Sequence, residues 1–406
     1  MSALSKSGRA GSTDTEVLIV GAGIAGLTAA IALDRLGIKV EIIERAQALT
    51  QAGTALSLWP NALAALDHIG LGDEVSAIGV EEPAGIGCRP DGQEIFKLDQ
   101  SRLNRQLGKA TEIVFRAELQ RVLLEGAKDI PTRMHTAAIS VSAEVDEGVV
   151  KLSTGETMRA PVVLACDGVR SVAREFVGNP APRFRDRTSW RAVLGASSDL
   201  VSTARLTVGH GQQFIMSPMS DGLVFWAADV GLPEGANAAL SDKKSFLHAA
   251  FKNWHDPIGE LIERTDEERL VIADFYDCLP DHLRKGPIAL LGDAAHSMTP
   301  DLGQGACQGI EDAVVLAACF DSGSDRLTAL ATYESVRLRR VRSIVRESGW
   351  IGRIATIRSP RVAAIRDLGT RYMPGWLNAR LVARYASEGA FRRNLGKVSG
   401  SRRFGT

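Results

Sequence analysis

The stretch TEVLIVGAGIAGLTAAIALDRLGIKVEIIER, residues 15–45, decides the fold. A β-branched run at 17–20 leads into a glycine turn at 21–26, and an apolar run with helical spacing follows. A second β-branched run, 40–43, then ends at the acid Glu44. Strand, glycine turn, helix, strand and acid in this order predict a dinucleotide-binding unit of the Rossmann type.

Each glycine of this turn has a physical role. Gly21 permits the tight turn, Gly23 lets the backbone approach a pyrophosphate at the helix N-terminus, and Gly26 lets helix and strand pack closely. Glu44 lies 23 residues after Gly21, where its carboxylate accepts hydrogen bonds from ribose hydroxyls. The alternative is a glycine-rich turn in another α/β protein, and the turn alone does not separate NAD from FAD. The predicted cofactor-binding residues of this unit are Gly21, Gly23, Ile24, Ala25, Gly26, Glu44 and Arg45.

The whole chain has the composition of an ordinary globular protein, with 406 residues, 45% of them hydrophobic and 24% charged. This length predicts two domains. Five cysteines without a C-x-x-C pattern indicate reduced thiols in a cytoplasmic protein, and no spacing of Cys and His predicts a metal site. Residues 1–14 are rich in Ser and Gly and predict a disordered leader rather than a signal peptide.

Charge is unevenly spread although the formal net charge is zero. Residues 331–406 contain 17 Lys and Arg against four acidic residues. A helical tail that solvates one face explains this surplus, and the alternative is weak contact with a membrane surface or a partner. Nucleic acid is disfavoured because no nucleic-acid-binding motif accompanies the charge.

The nucleotide-binding pattern is interrupted by a segment of different character. Short apolar runs at 161–166 and 288–291 predict buried strands, and 116–126 predicts a helix. Residues 184–276 are mostly strand-like, with one helical stretch at 243–264. The predicted FAD-binding domain therefore takes 15–80, 100–183 and 277–345. A substrate-binding β domain takes 81–99 and 184–276, and a basic helical C-terminal region takes 346–406.

Three predicted strand ends are expected to form one ligand site, since open α/β sheets bind ligands at the carboxyl ends of their strands. These ends carry GAGIAG (21–26), CDGVRSVAR (166–174) and LLGDAAHSMTPDLGQGACQGIEDA (290–313). Together they resemble the single-component FAD-dependent aromatic monooxygenases, the para-hydroxybenzoate hydroxylase class. The WPNALAAL segment and the length are most similar to the branch of salicylate hydroxylase, urate hydroxylase and zeaxanthin epoxidase. The similarity spans about residues 15–345.

The resemblance implies an α/β fold with a Rossmann-like FAD-binding domain of the glutathione-reductase type. It also implies an inserted, mostly antiparallel β-sheet substrate domain and a helical C-terminus. An enzyme of this family uses NAD(P)H and O2, and hydroxylates an electron-rich aromatic or heteroaromatic molecule through a flavin C4a-hydroperoxide. The cofactor-binding residues that it adds to the glycine turn are Arg116, Asp167, Gly292, Asp293, Pro300, Gly303, Gln304 and Gly305.

Several of these residues have a simpler explanation as well. Asp293 follows a strand and a glycine, where it accepts from a ribityl hydroxyl or caps a helix. The glycines of 300–305 let backbone N–H groups approach a planar ring, or merely lead a loop into a helix. Asp167 fits a type I turn equally well, and Arg116 fits a solvated helix face. His296, in Ala-Ala-His, is interpreted as structural or adjacent to the cofactor.

The substrate pocket is expected between the inserted sheet and the flavin ring, lined by some of Trp190, Arg191, Phe214, Met216, Pro218, Phe225 and Trp226. Arg191 is the candidate that clamps a carboxylate or phenolate, with exposure as the competing interpretation. Arg191 and Gln304 are the two predicted positioning residues for substrate and flavin. Strand alternation lets only some of these side chains point inward. No general base stands out, since His210 and Tyr276 are weak candidates.

Other functions remain open from the sequence. One is epoxidation or hydroxylation of a larger lipophilic substrate, such as a quinolone, polyketide or carotenoid, at a membrane surface. A flavin halogenase is disfavoured because no W-x-W-x-I-P segment is present, and an isoprenoid reductase fits the second and third motifs less well. A non-catalytic flavin-binding scaffold is a further alternative. The expected oligomeric state is monomer or homodimer.

Overall fold

The computed structural model describes residues 15–49, 54–83, 85–195, 200–373 and 375–398, so the predicted leader lies outside the described residues. Its strands are β1 (Val17–Val20), β2 (Val40–Ile43), β3 (Ala55–Leu58), β4 (Val80–Glu81), β5 (Gly85–Cys88), β6 (Glu94–Lys97), β7 (Glu112–Phe115), β8 (Thr132–Arg133), β9 (Ala138–Glu144), β10 (Glu147–Leu152), β11 (Thr157–Ala160), β12 (Val162–Ala165), β13 (Arg183–Gly195), β14 (Ala204–Val208), β15 (Gln212–Pro218), β16 (Leu223–Val230), β17 (Val271–Asp277), β18 (Arg284–Lys285) and β19 (Ile288–Leu290). Its α-helices are α1 (Ile24–Asp34), α2 (Pro60–His68), α3 (Gly72–Ser76), α4 (Gln100–Leu107), α5 (Arg116–Gly126), α6 (Arg174–Val177), α7 (Lys243–Ala250), α8 (Ile258–Arg264), α9 (Asp293–His296), α10 (Gly305–Asp321), α11 (Arg326–Ala355), α12 (Pro360–Arg371), α13 (Gly375–Ala386) and α14 (Glu388–Leu395).

A six-stranded sheet with the order β18-β19-β12-β1-β2-β8 forms the nucleotide-binding part. Strands β1, β2, β8, β12 and β19 are parallel, and β18 is antiparallel to β19. Every residue of β1, β2 and β12 is buried. Helix α1 packs directly against the long helix α10, and β10 of a second, three-stranded sheet (β11-β10-β9) contacts β12. The fold class predicted from the sequence is confirmed.

A seven-stranded sheet with the order β17-β13-β16-β15-β14-β5-β6 forms the second layer of the molecule. It is antiparallel except for the β14–β5 pair. Helices α7 and α8 cover one of its faces and bury a core of their own. A small sheet, β3-β7-β4, completes the topology of the described residues.

The C-terminal helices pack back onto the nucleotide-binding part. Helix α11 packs along α10, α13 contacts α4, and α14 contacts α2. Helix α12 lies against β6 at the edge of the seven-stranded sheet. None of the described helices has the combination of length and apolar character that crossing a membrane requires.

Most predicted elements are present, with local differences. Helix α5 has the predicted bounds, and α10 begins at Gly305, at the end of the glycine-containing segment 300–305. The predicted continuous helical stretch at 243–264 is wrong: it is two helices, because residues 251–257, which end in Pro257, separate α7 from α8. The predicted boundary at residue 346 falls inside α11, which runs unbroken through it. The domain boundaries stay predictions.

Candidate active site

The three sequence motifs start at one edge of the six-stranded sheet. Val20 lies opposite both Ile43 and Ala165, and Ala165 lies opposite Leu290 in the parallel register. Because the carboxyl ends of parallel strands meet at one edge, the residues that follow these four positions emerge side by side. The register thus brings together motifs that lie up to about 270 residues apart in the chain.

Two fingerprint glycines are required by packing, and the third faces open space. Gly21 has φ +106°, and a Cβ there would lie 2.6 Å from the Cys166 carbonyl oxygen. A Cβ on Gly26 would lie 2.0 Å from the Gly21 carbonyl oxygen. A Cβ on Gly23 would meet nothing within 4 Å. Gly21 and Gly26 therefore hold the turn against β12, while Gly23 leaves room for a ligand at the start of α1.

Glu44 is held at the glycine turn by backbone donors. The Ala22 N–H donates to Oε2 at 2.7 Å, and the Ala46 N–H donates to Oε1 at 2.9 Å. A carboxylate oxygen has two acceptor sites, so each oxygen keeps one for a ligand hydroxyl. The neighbouring Arg45 is exposed. The cofactor roles of Glu44 and Arg45 stay predictions.

Asp293 begins α9 beside the glycine turn, and its side chain is exposed rather than buried. A buried carboxylate without donors would require a polyol partner, but an exposed one does not. Gly292 brings the segment close to α1, since a Cβ at Gly292 would lie 3.0 Å from the Ala25 Cβ. Asp293 nevertheless borders the cavity described next, where a ribityl chain would reach it.

The second motif is joined to the third by Arg174, which is 3% exposed. Its guanidinium donates to the backbone carbonyls of Ala294 at 3.0 Å and Asp293 at 2.8 Å, and to the carbonyl of Val169. Arg174 therefore fastens the two loops together instead of pointing at a cofactor. Asp167 supports the same turn by accepting from the Val172 N–H at 2.8 Å, and burial raises its pKa.

A cavity of about 590 Å³ runs from this sheet edge to the face of the seven-stranded sheet. The predicted residues that line it are Gly23, Ile24, Ala25, Arg116, Arg191, Phe225, Gly292, Asp293, Pro300, Gly303 and Gly305. The predicted cofactor residues that do not line it are Gly21, Gly26, Glu44, Arg45, Asp167 and Gln304. A smaller, more open hollow of about 390 Å³ beside α7 and α8 contains none of the predicted residues.

Strand alternation sorts the predicted substrate residues into two groups. Trp190, Phe214, Met216 and Trp226 point into the core under α7 and α8, so these four candidates are not pocket residues. Residues of the opposite parity face the cavity, as expected for side chains that alternate across a sheet. They are Ser189, Arg191, Ile215, Ser217, Phe225, Ala227 and Asp229. Pro218 does not line the cavity.

Arg191 is half-buried in this wall and has no carboxylate at ion-pair distance among the described residues. Its Nε donates to the Ser189 hydroxyl at 3.1 Å, and its guanidinium lies 5.4 Å from the Phe275 ring centroid. Burial lowers its pKa, Asp229 opposes this, and Arg116 adds to the lowering. An anionic ligand would offset this unfavourable environment.

The carboxylates near Arg191 already have a partner in Arg187, whose side chain is 4% exposed. Its Nη2 lies 2.6 Å from an Asp301 oxygen, and its Nη1 lies 3.9 Å from an Asp229 oxygen. Burial alone would lower the pKa of Arg187, but Asp229 and Asp301 outweigh it and raise that pKa. The wall therefore presents the positive charge of Arg191 to a ligand.

Gln304, predicted to position the flavin or substrate, turns its side chain away from the cavity. It is 0% exposed, and its Oε1 accepts from Asn61 Nδ2 at 3.1 Å and Gln308 Nε2 at 2.8 Å. The reason is its place at the N-cap of α10, where the side chain packs against α2 and only the backbone is near the ring site. Its predicted role remains unsupported by the side-chain geometry.

His296 belongs to a fully buried charge network behind the loops. Its Nε2 lies 2.5 Å from an Asp312 oxygen, and the other Asp312 oxygen accepts from Arg337 Nε at 2.7 Å. The Gly292 N–H also donates to Asp312, at 2.9 Å. Burial would raise the pKa of Asp312, but His296 and Arg337 outweigh it and lower that pKa to about 2. The structural interpretation of His296 agrees with this position.

Comparison with known proteins identifies the chain. The model of the FAD binding domain family matches residues 14–348. Aurachin C monooxygenase/isomerase of Stigmatella aurantiaca is 35% identical over 367 residues, covering 89% of this chain and 95% of that protein. FAD-dependent urate hydroxylase of Klebsiella pneumoniae is 32% identical over 337 residues, covering 81% and 88%. The crystal structure of Klebsiella pneumoniae HpxO with FAD and uric acid superposes with a TM-score of 0.84 at 27% identity, covering 95% and 97%.

The chain belongs to the FAD-dependent aromatic monooxygenases.

The predicted class of enzyme and its FAD cofactor are thereby confirmed. The described residues of this monooxygenase also fit FAD on physical grounds. Open space at Gly23 suits a pyrophosphate, and the first-turn N–H groups of the 17-residue helix α10 face the cavity at Gly305. The buried Trp59 Nε1 has no partner among the described residues and lies against Gly303, where a ring edge would reach it.

Several cavity residues of the monooxygenase were not predicted from the sequence, and three of them come from elements outside the predicted site. Glu82 lines the cavity from the turn after β4, and it accepts from the Ser57 hydroxyl at 3.4 Å. Val382 and Tyr385 line it from α13, within the C-terminal region that was expected to solvate a surface or to contact a membrane or a partner. No local motif marks any of the three. Ser189 and Asp229 are paired residues of the neighbouring strands β13 and β16, on the same sheet face as Arg191. The strand register would have placed both of them in the cavity wall.

Proposed function

We propose that this monooxygenase hydroxylates a small heteroaromatic ring that carries an acidic oxygen, held between Arg191 and Glu82. The proposal is carried by the guanidinium of Arg191, which has no ion-pair partner among the described residues and lies in a cavity that starts at the cofactor loops. An arginine presents a fork of donors that matches a carboxylate or a ring oxygen with anionic character.

When bound, FAD supplies the oxygen chemistry, with NAD(P)H and O2 as co-substrates. This chain holds the cofactor through the glycine turn, the Asp293 carboxylate and the backbone of 300–305. Arg116, exposed at the start of α5 and bordering the cavity, is placed to contact it. Arg174 and Asp312 hydrogen-bond to the backbone of the loops at Gly292 and Asp293 and so keep these groups in position.

Substrate orientation is the task of the sheet wall. Arg191, steadied by Ser189, binds the acidic oxygen of the ring, and apolar side chains on the same face exclude water from it. Those side chains are Ile215, Phe225, Ala227 and Phe275. Arg187 pairs closely with Asp301 and lies 3.9 Å from Asp229, which weakens the repulsion between these carboxylates and an anionic substrate.

Glu82 is the proton acceptor in this proposal. It comes from the small sheet rather than from the wall that carries Arg191, so the two charges approach a ligand from different elements. Burial raises its pKa to about 7, and the Ser57 hydrogen bond only partly opposes this. A carboxylate with such a pKa takes a proton from a ring N–H or O–H near neutral pH, which makes the ring a stronger electron donor.

Relatives with fused or functionalised rings agree with this substrate class. The names of the two relatives given above specify urate and aurachin C. Urate is a small acidic heterocycle of the proposed type. A larger lipophilic substrate is the alternative, and it is not favoured over the small aromatic ring.

Location and partners complete the proposal. The five free thiols, four of them buried, are consistent with a cytoplasmic protein. A monomer or homodimer is proposed, with a weak membrane-surface contact through the basic C-terminal region.

The test is anaerobic reduction of the bound flavin by NADH and by NADPH, with and without a panel of phenolic acids, purines and quinolones. We expect one acidic ring system to accelerate reduction and to be hydroxylated when O2 is admitted. A neutral analogue of the same ring, without the acidic oxygen, is the matched control. Reduction that no member of the panel accelerates would overturn the substrate class.

A further inference from the structure

Large apolar side chains that are exposed concentrate near the C-terminus. Of the thirteen on the described surface, eight lie between residues 350 and 381. Four of these eight follow a helical period in and just after α12 and form what we call the α12 stripe. The stripe consists of Val362, Ile365, Leu368 and Tyr372, exposed by 47%, 70%, 58% and 75%. Spacings of three, three and four residues place them on one face of the helix.

The opposite face of α12 is fixed to the protein, so the stripe has a set orientation. Ala363 is buried, and the Asp367 carboxylate pairs with Arg89 Nε at 2.9 Å. The Arg366 guanidinium donates to the Ala355 carbonyl at 2.8 Å and pairs with Asp367. These contacts hold α12 against β6 and the end of α11, and they turn its apolar side chains outward.

Basic side chains border the stripe. Arg361 and Arg371, in the helix that carries the stripe, are exposed, and neither has an ion-pair partner among the described residues. Residues 350–384 contain seven arginines and one acid, Asp367, which is already paired. An apolar face edged by unpaired cations is the composition of helices that lie in a lipid interface, where arginines keep their charge at the headgroups.

We propose that the α12 stripe docks on the surface of an anionic lipid bilayer. Apolar side chains enter the headgroup boundary, Tyr372 takes the interfacial position that tyrosine prefers, and the arginines meet the lipid phosphates. A second copy of this chain fits less well, since two such faces would bring unpaired arginines together.

Docking has a consequence for the cavity. Helix α13 begins four residues after α12 ends, and its Val382 and Tyr385 line the cavity while Arg380 and Leu381 are exposed. A docked enzyme therefore has the helix that closes one cavity wall beside the lipid. The proposal rests on the membrane contact proposed above, and it does not depend on the substrate class.

The test is co-sedimentation of the FAD-loaded protein with vesicles of phosphatidylcholine, alone or mixed with phosphatidylglycerol. We expect binding to the mixed vesicles that weakens as salt screens the charges. Ile365→Ser/Leu368→Ser should weaken it about tenfold or more, because two large apolar side chains leave the interface. Ile139→Ser/Val145→Ser, at exposed apolar positions in and beside the three-stranded sheet, is the matched control and should bind as the wild type does.

Each outcome decides a different statement. No binding of the wild type to mixed vesicles would overturn both the stripe and the membrane contact, while flavin reduction would still test the hydroxylase. Binding that survives Ile365→Ser/Leu368→Ser would overturn the stripe alone. Equal binding to neutral vesicles would overturn the anionic preference. A wild-type dimer that this double variant converts to a monomer, without vesicle binding, would assign the face to a second copy.

Discussion

Two groups of charges in this enzyme are built from the same residue types and differ in how completely they are paired. Behind the cofactor loops, Arg337 contacts both Glu311 and Asp312, and Arg340 contacts Glu311 at 2.7 Å. In the cavity, neither Arg191 nor Glu82 has a partner of opposite charge among the described residues. Arg191 contacts the Ser189 hydroxyl and the Phe275 ring, and Glu82 accepts from the Ser57 hydroxyl. We call the first group the buried network and the second the cavity pair.

The difference separates charges that hold the fold from charges that await a ligand. Burying an ion pair costs desolvation free energy, and close contacts between the two charges offset that cost. Removing one partner leaves the other charge buried without this compensation. The buried network joins α10, whose N-terminus lies at the predicted ring site, to α11. The charges of the cavity pair are also partly desolvated, but no oppositely charged partner among the described residues offsets the cost. Such an arrangement is common where a site binds a charged ligand.

The same substitution should therefore have opposite effects in the two groups. Arg337→Met removes the cation shared by Glu311 and Asp312, and we expect the free energy of unfolding to fall by about 3–5 kcal/mol. The measurement is the thermal unfolding midpoint of the FAD-loaded protein. Arg339→Met, an exposed position on the same helix, is the control and should change the stability by about 0.5 kcal/mol or less. Equal midpoints for the two variants would refute the importance of the network.

Arg191→Met should leave the unfolding midpoint unchanged or slightly higher, because a half-buried cation without a carboxylate is lost. It should raise the KM for an anionic ring about 10- to 100-fold, the range for about 1.5–3 kcal/mol of charged hydrogen bonding. The KM for a neutral analogue should change little, and steady-state kinetics with both substrates measures the difference.

Arg183→Met is the matched control, since Arg183 is exposed on the same strand and does not line the cavity. An equal rise in KM for the anionic and neutral rings would show that Arg191 shapes the cavity rather than binding charge. A large fall in the unfolding midpoint would show that Arg191 stabilises the fold, as the residues of the buried network do.

The sequence predicts the cofactor side of this enzyme far better than the substrate side. Glycines and acids of the nucleotide fold occupy fixed offsets from a strand, since the turn and the helix start dictate them. That is why the GAGIAG turn, the Gly292-Asp293 pair and the 300–305 loop lie together at one edge. The exposure of Asp293 was not predictable, because it depends on how α9 packs.

Substrate residues follow no such offsets. Alternation in β13 is visible in the sequence, but which parity faces the cavity depends on the sheet face that α7 and α8 cover. Because α7 and α8 cover one face, Trp190 on that face lies in the core and Arg191 on the other face lines the cavity. Glu82 reaches the cavity because β4 pairs with β7, two strands about thirty residues apart whose pairing no motif reveals.

The second member of the cavity pair should give the smallest effect, and pH reveals it. With the pKa of Glu82 at about 7, its carboxyl is protonated at acidic pH and accepts no proton from the substrate. The kcat/KM of the wild type should therefore rise with pH and level off above about 7. Glu82→Gln should remove this rise and lower the plateau about tenfold, less than an enclosed base contributes, because Glu82 is not fully buried and water can take the same proton.

Glu81→Gln controls for the strand itself, since Glu81 is exposed and accepts from Asn104 Nδ2 at 2.9 Å instead of lining the cavity. Its pH profile should match that of the wild type.

Absorbance of a bound phenolic ligand gives a readout that is independent of turnover. The ionisation of the ligand should follow the pKa of Glu82 in the wild type and shift to higher pH in Glu82→Gln. An unshifted ionisation would leave Arg191 as the only charge that acts on the ligand, and the proton would then leave through water. The cavity would in that case have a single binding charge rather than a pair, and its likeness to the buried network would reduce to the shared use of arginine.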